Sequence, residues 1–444
     1  MPSQDSASLS GEAASAAASR TSHAKKYLAA LGPGFLFAGA AIGTSHVVQS
    51  TRAGAEYGTG LLGFILLAVL LKYPSFFFGP FYVSVTGKSL VEGYRQTFGR
   101  SVVALFALVQ IPVTAIIIAA IAITTAGLAG SLVSLTLSPP TVAVILIALC
   151  GVLTFAGGYK LLDWVNKVFV VILSVTTLFA TIAAVPLVDW SFYPATAVSP
   201  LLSVTTFVTL VAVLGLMPSD ITLAIMNSLW SEARNKTQGR RSDTTAEKID
   251  FNIGYIGAAV LAACFVIMGA GVMHSQGITP ADGAVGFASQ VISLYTSTLG
   301  EWSGVVVGIS AFTVMLTTLL TVLDGFPRMI SASWYTFIRP ADETETSRNL
   351  EGSPAFLVSL IGLSLLAVVI LYTLMGNFRL FMDFVMVVAF LISPILAALN
   401  HFTANGPTVP PALRPSKLIN AWSWLAIATL TLLSLGYIAV RFVL

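Results

Sequence analysis

Residues 43–46 read Gly-Thr-Ser-His and residues 217–220 read Met-Pro-Ser-Asp, and each quartet interrupts a run that is otherwise almost purely apolar. Together they bring an imidazole (His46), a thioether (Met217), a carboxylate (Asp220), three hydroxyls (Thr44, Ser45, Ser219) and two helix breakers (Gly43, Pro218). Such groups suit the binding of an ion or small solute. Imidazole and sulfur favour softer transition ions, whereas Mg²⁺ and Ca²⁺ require several oxygen ligands, usually with carboxylates. The expected site is Gly43, Thr44, Ser45, His46, Met217, Ser219 and Asp220, with Leu214, whose carbonyl precedes the second break; His46 and Met217 are the candidate metal ligands. No nucleophile, base and orienting group converge in any motif, so no enzyme is expected, and no cofactor is implied.

Each of these residues also has an ordinary structural reading. His46 serves either as ligand or proton carrier, or as a hydrogen-bonded histidine that orients the chain. Met217 also reads as a flexible core filler. Asp220, two residues after Pro218, falls in the first turn of the following half-helix, where a carboxylate complements exposed amides and the helix dipole.

A second set of residues suits coupling or gating: Lys72, Asp324, Thr317 and Glu56. Lys72 lies about twelve residues into an apolar run, where insertion of a lysine costs about 3 kcal/mol. It is expected to face the protein and either to pair with Asp220 or Asp324 or to stand in for a coupling cation. Ser310, Thr313, Thr317 and Thr321 make one hydroxyl face leading to Asp324, which suits a permeation lining or helix-to-helix hydrogen bonding. Gln49, Arg52 and Glu56 follow the first break and read as a charged gate or a local salt bridge; Asp383 has no assigned role.

The elements that must hold these residues are membrane helices. The chain has 444 residues, 56% of them hydrophobic and only 9% charged, with a mean hydropathy of +0.89, against roughly 25% charged residues in soluble domains. Eleven stretches satisfy the roughly 20-residue requirement of a bilayer: 31–57, 60–84, 101–133, 141–157, 163–186, 202–232, 251–273, 301–324, 354–375, 378–399 and 419–442. Residues 1–26 are small and polar and read as a disordered cytoplasmic tail. Lys and Arg alternate between loops: Lys25, Lys26, Lys88, Arg95, Arg100, Lys160, Lys167, Arg234, Lys236, Arg240, Arg241, Lys248, Arg328, Arg339, Arg348, Arg414 and Lys417 fall on one side. The positive-inside rule then places the N-terminus in the cytoplasm and the C-terminus outside, in a plasma (inner) membrane. The net charge of +3 is spread over loops and gives no support for a nucleic-acid partner. Cys150 and Cys264 sit in apolar runs as packing residues, and His23, His274 and His401 read as solvated.

Interruptions in the first and sixth spans match the pattern of a five-plus-five inverted repeat, with a substrate site between unwound segments at the midplane. The division is 27–186 for the first repeat, 202–399 for the second, and 419–442 for an eleventh helix. Gly43–His46 is expected to be the unwound part of the first span.

GPGF (32–35), AGAEYG (53–58), VTGKSL (85–90), GYKLLDWVNKV (158–168) and the Met-Pro of the sixth span resemble the Nramp family of proton-coupled divalent-metal transporters, and the resemblance runs from span 1 to span 10. It implies an all-α polytopic protein with the LeuT-type fold, working by alternating access. The family's metal motifs, Asp-Pro-Gly-Asn and Met-Pro-His, are replaced here by Gly43–His46 and by Met217, Pro218 and Ser219, so only the Met217 thioether is unchanged. The family's acidic pair in span 3 is missing, while Pro394 resembles its span 10 proline. The implied function is secondary transport of a small inorganic ion, a transition-metal cation by family, with proton or ion coupling. The lost span 1 carboxylate and Lys72 favour an alternative, a small organic or anionic solute on the same fold. A sensor or scaffold without transport would leave the retained breaks unexplained.

Overall fold

The computed structural model describes residues 33–133, 135–156, 159–190, 204–215, 217–239, 243–339, 350 and 352–442. The N-terminal tail, with His23, Lys25 and Lys26, lies outside them, as do Arg240, Arg241 and Arg348. The described residues are nearly all helical. Span 1 is α1 (Pro33–Ala41), a π-helical turn (Ser45–Ser50) and α2 (Thr51–Tyr57). Span 2 is α3 (Leu62–Thr86), followed by the short amphipathic α4 (Leu90–Phe98). Then come α5 (Arg100–Leu132), α6 (Pro139–Phe155) and α7 (Tyr159–Ala184). Span 6 is split into α8 (Val204–Gly215) and α9 (Thr222–Gln238). The remainder are α10 (Thr244–Met268), α11 (Ala284–Leu299), α12 (Trp302–Ile338), α13 (Pro354–Leu374), α14 (Phe378–Ala404) and α15 (Lys417–Phe442).

Among the described residues, eight helices are long and apolar enough to cross a membrane, and Pro139–Phe155 is a shorter apolar helix. With the two broken spans they account for the eleven stretches. The ends follow local chemistry. Pro139 and Pro354 open α6 and α13, where a missing amide hydrogen is harmless. The Asp243, Ser353 and Asn377 side chains accept from first-turn amides of α10, α13 and α14.

Two helices were not foreseen: α4 and α11 lie in segments that read as loops because their polar residues break the apolar run. α12 also continues fourteen residues beyond the expected end at 324. Arg328, expected in a loop, sits inside it, 6% exposed, and its ion pair with Asp324 at 2.7 Å neutralises it there. His401 is likewise buried rather than solvated, with Nδ1 3.0 Å from Ser423 Oγ and its ring against Trp424. His274 is exposed but its Nδ1 lies 3.0 Å from the Ala55 carbonyl oxygen, tying the end of span 7 to α2.

α5 and α12 form the most extensive helix pair, and α13 packs on α5 as well. α1 packs against α10, α8 against α14, and α3 against both α9 and α10. Both broken spans therefore run through the interior, lined by other helices instead of lipid, which is the condition under which non-helical backbone is tolerated at membrane depth.

Candidate functional site

The first break is shorter than expected. Only Ile42 and Gly43 leave the helix; Thr44, Ser45 and His46 already belong to the returning turn, with His46 and Val47 amides both donating to the Gly43 carbonyl at 3.1 Å. The wide π turn that follows is a local winding often found at functional sites. Two hydroxyls take up the carbonyls that the break leaves over. Ser45 Oγ donates to Ala41 O at 3.0 Å, and Thr318 Oγ1, from α12, donates to Gly39 O at 2.9 Å. A Cβ at Gly43 would press on the Thr318 methyl at 3.2 Å, so this glycine lets span 1 approach α12.

The second break is longer. α8 ends at Gly215, the Met217–Pro218 peptide is cis, Ser219 and Asp220 are non-helical, and α9 starts at Thr222. Carbonyls at 214 and 215 have lost their helical partners, because Pro218 has no amide hydrogen and Ser219 is out of register. Lys72 fills this gap. Fully buried, its Nζ donates to Leu214 O at 2.5 Å and to Gly215 O at 2.8 Å. The pairing of Lys72 with Asp324 is thereby corrected: Asp324 accepts from Arg328 and, at 3.1 Å, from Trp230 Nε1. Leu214 is corrected too, since its carbonyl is engaged by Lys72.

Between the two breaks lies a cavity of about 40 Å³, room for roughly three waters or one small ion. Gly43, Thr44, Ser45, Ser219 and Asp220 supply its polar wall; Ile117, Ile121, Leu223, Met226, Val322 and Phe326 supply the apolar remainder, and Thr318 completes it. Asp220 is buried, and its Oδ1 has no hydrogen-bond partner. The rest of its carboxylate is held by Thr222 and by the amides at 221 and 222, so the residue caps α9 and lines the cavity at once. Of the two roles left open in the sequence, the cap is made, and the same side chain stands in the cavity wall.

His46 and Met217 do not line this cavity. His46 is fully buried against α10, with Nε2 2.8 Å from Ala258 O and Nδ1 2.8 Å from Ser45 Oγ. A carbonyl only accepts, so Nε2 must carry a hydrogen, and Nδ1 lies against the Ser45 hydroxyl, whose single hydrogen is shared between this nitrogen and the Ala41 carbonyl; both nitrogens are taken up by protein groups. Met217 Sδ accepts from Ser50 Oγ at 3.7 Å. The expected soft pair is thus corrected to structural roles, the imidazole having rotated toward span 7 on the π turn. Among the described residues there is no group of three or more His, Cys, Asp or Glu arranged to hold a metal.

On the hydroxyl face of α12, Thr317 and Thr321 do not line this cavity. Thr317 Oγ1 donates to Thr313 O at 3.0 Å and Thr321 Oγ1 to Thr317 O at 2.7 Å, so both bond their own helix. Thr318, one position off that stripe, is the residue that meets span 1. Gln110 was missed as well: it is fully buried on α5, and its side-chain amide lies 3.4 Å from Thr222 Oγ1. A lone amide inside a charge-free span was the available signal.

On the α2 side, two turns from Ser45, charged groups form a cluster. Arg52 Nη1 and Nη2 reach the Asp383 carboxylate at 2.9 and 3.4 Å, Gln49 Nε2 joins at 3.5 Å, and Arg379 pairs with Glu56 at 2.9 Å. Asp383, without a role in the sequence, is the centre of this cluster. On the opposite side, Trp230, Asp324 and Arg328 tie α9 to α12 beyond Met226 and Phe326. Arg52→Ala should open the α2 side. Asp383 keeps 35% of its side chain exposed, so the pair is worth about 1 kcal/mol and the opening about fivefold. Faster maleimide labelling of Thr44→Cys, in a background without Cys150 and Cys264, would register it; an unchanged rate would mean that the cluster does not gate.

Comparisons with known proteins agree with this architecture. The pattern of the family described as natural resistance-associated macrophage protein-like matches residues 34–440. An uncharacterised protein of Pasteurella multocida (strain Pm70) is 32% identical over 385 residues, which cover 86% of this chain and 85% of that one. A manganese transporter of Eremococcus coleocola, solved with an aromatic bis-isothiourea compound, is similar in structure with a TM-score of 0.68 at 16% identity, over 94% of this chain and 87% of that one. MhsT in complex with L-phenylalanine is similar with a TM-score of 0.64 at 12% identity, over 92% and 98%. At these identities the two structures establish the fold, that of Nramp and LeuT-type transporters.

Proposed function

Since the chain belongs to the natural resistance-associated macrophage protein-like (Nramp) family of membrane transporters, we propose that it carries a small divalent metal cation of the Mn²⁺ class through the cavity between its two broken spans. The observation that carries this reading is Asp220, a buried carboxylate with one oxygen unpartnered in the protein, in the wall of a small cavity that Thr44, Ser45 and Ser219 also line. A carboxylate, hydroxyls and retained waters are the donor set that suits Mn²⁺ or Mg²⁺. With the imidazole and thioether turned away, softer ions lose their advantage.

Two clusters flank the cavity, Arg52–Asp383 with Glu56–Arg379 on one side and Trp230–Asp324–Arg328 on the other. In our reading each opens in turn, which is alternating access. The halves that move are the repeats at 27–186 and 202–399, with the helix at 419–442 appended. Charge distribution supports a cytoplasmic N-terminus and an outer C-terminus in a plasma membrane.

An anionic solute loses its main support, because Lys72 is committed to backbone carbonyls and does not line the cavity. A small organic ammonium remains as the competing cargo, since Asp220 and an apolar wall suit it equally in charge. Purified protein in liposomes separates the two. Uptake of Mn²⁺ down a concentration gradient, unaffected by excess methylammonium, is the expected result; methylammonium flux without metal flux would overturn the metal reading.

A further inference from the structure

Lys72 is a fully buried ammonium that does not line the cavity. In a continuous helix the Leu214 carbonyl would accept from the amide of residue 218 and the Gly215 carbonyl from residue 219. The first amide does not exist, because residue 218 is proline, and the second is displaced by the break. α8 therefore ends in two buried carbonyls that bear the negative end of its dipole. In a bilayer such a pair must be satisfied inside the protein, and a monovalent cation is the natural partner for two neutral oxygens beside one carboxylate. A divalent ion would need more oxygen ligands and more charge.

We propose that the Lys72 ammonium is a resident counter-cation, covalently tethered in a monovalent-cation site formed by the Leu214 and Gly215 carbonyls at the end of α8. Its Nζ makes both contacts, at 2.5 and 2.8 Å, with no part of the side chain exposed. Its ionic neighbour is Asp220, across the break. The helix that carries it is fixed in place. Two turns along α3, Gly79 packs so closely on α9 that a Cβ there would collide with the Ala224 carbonyl. Because the charge is part of the chain, the break is held without any dissolved sodium, potassium or ammonium ion. Removing the ammonium leaves a vacant site for one. This inference concerns the break itself and does not depend on which cargo the cavity takes.

Thermal unfolding of the purified full chain in detergent tests it without transport. Choline, Na⁺, K⁺ and NH₄⁺ chlorides are compared at equal ionic strength. The wild-type chain should unfold at the same temperature, within about 1 °C, in all four. Lys72→Ala should unfold earlier in choline and recover by roughly 2–5 °C in millimolar Na⁺, K⁺ or NH₄⁺, saturating as a single site does. Lys72→Arg, which keeps the charge, should show no such recovery. Lys72→Met preserves the apolar stem and serves where Lys72→Ala accumulates poorly; it should respond as the alanine variant does. A wild-type chain that needs one of these cations, or neutral variants that none of them stabilises, including variants that fail to accumulate in every salt, would overturn the proposal.

Discussion

Asp220→Asn should weaken divalent-cation binding by at least about tenfold, or 1.4 kcal/mol, and suppress uptake to the same degree, while the unfolding temperature moves by no more than about 2 °C. The asymmetry between function and stability follows from how the two carboxylate oxygens are used. One end of the side chain caps α9 through Thr222 and the amides at 221 and 222, and asparagine caps a helix about as well as aspartate. The other oxygen has no hydrogen-bond partner within the protein, so neutralising it removes no internal hydrogen bond; the lost attraction to the Lys72 ammonium is offset by the relieved desolvation of a buried charge, and Lys72 keeps its two carbonyl bonds. What is lost is the only full negative charge in the polar wall of the cavity. Isothermal calorimetry with Mn²⁺, alongside uptake into liposomes, reads the first effect, and thermal unfolding in the same buffer reads the second. Retained Mn²⁺ heat in the variant would locate the cation elsewhere. A collapse of stability would make the cap, and not the cargo, the purpose of Asp220.

The elements were legible because a bilayer demands long apolar runs, and this chain writes them plainly from span 2 to span 11. The positions of both breaks were legible for the same reason: glycine and proline among polar residues stand out in an apolar context. Their extent was not. Whether Thr44, Ser45 and His46 are unwound depends on how soon the chain finds a helical partner, and here the Gly43 carbonyl accepts two amides at once and restarts the helix on a wide turn. That turn shifts every following side chain around the axis, so periodicity could not say that His46 would face Ala258 instead of the cavity.

Partnership was the second illegible quantity. Arg328 and Asp324 were read by their nearness to a span end, yet four residues apart on one helix they neutralise one another and the helix continues through both. Asp383 had no neighbour in sequence to suggest Arg52, 331 positions away. Lys72 shows the opposite case. Burial of an ammonium was expected from the place of Lys72 within an apolar run, and so was the need for a partner; that the partner would be the two carbonyls left over by the break follows only once α3 is known to cross it.

Gly54→Val should deprive the chain of its folded form altogether, the largest effect expected of any single substitution in span 1. A Cβ at Gly54 would fall far inside contact distance of the Val266 carbonyl, and one at Gly269 would do the same to the Thr51 carbonyl. The two glycines face each other where α2 crosses the end of span 7, and the obstacle on each side is backbone, which cannot change rotamer to make room. Small-residue crossings of this kind let membrane helices approach by direct van der Waals contact. Overpacking a core typically costs 1–3 kcal/mol where side chains can yield; here the helices themselves must separate, and α2 would carry Arg52 and Glu56 away from Asp383 and Arg379. Gly63→Ala is the matched control, since a Cβ there meets nothing within 4 Å and alanine is the better helix former by about 1 kcal/mol. Size-exclusion profiles of detergent extracts should therefore show a monodisperse peak for Gly63→Ala and aggregate for Gly54→Val. A monodisperse Gly54→Val peak with wild-type unfolding temperature would mean that α2 does not cross span 7 at this distance, and the placement of Arg52 and Glu56 that rests on that crossing would fall with it.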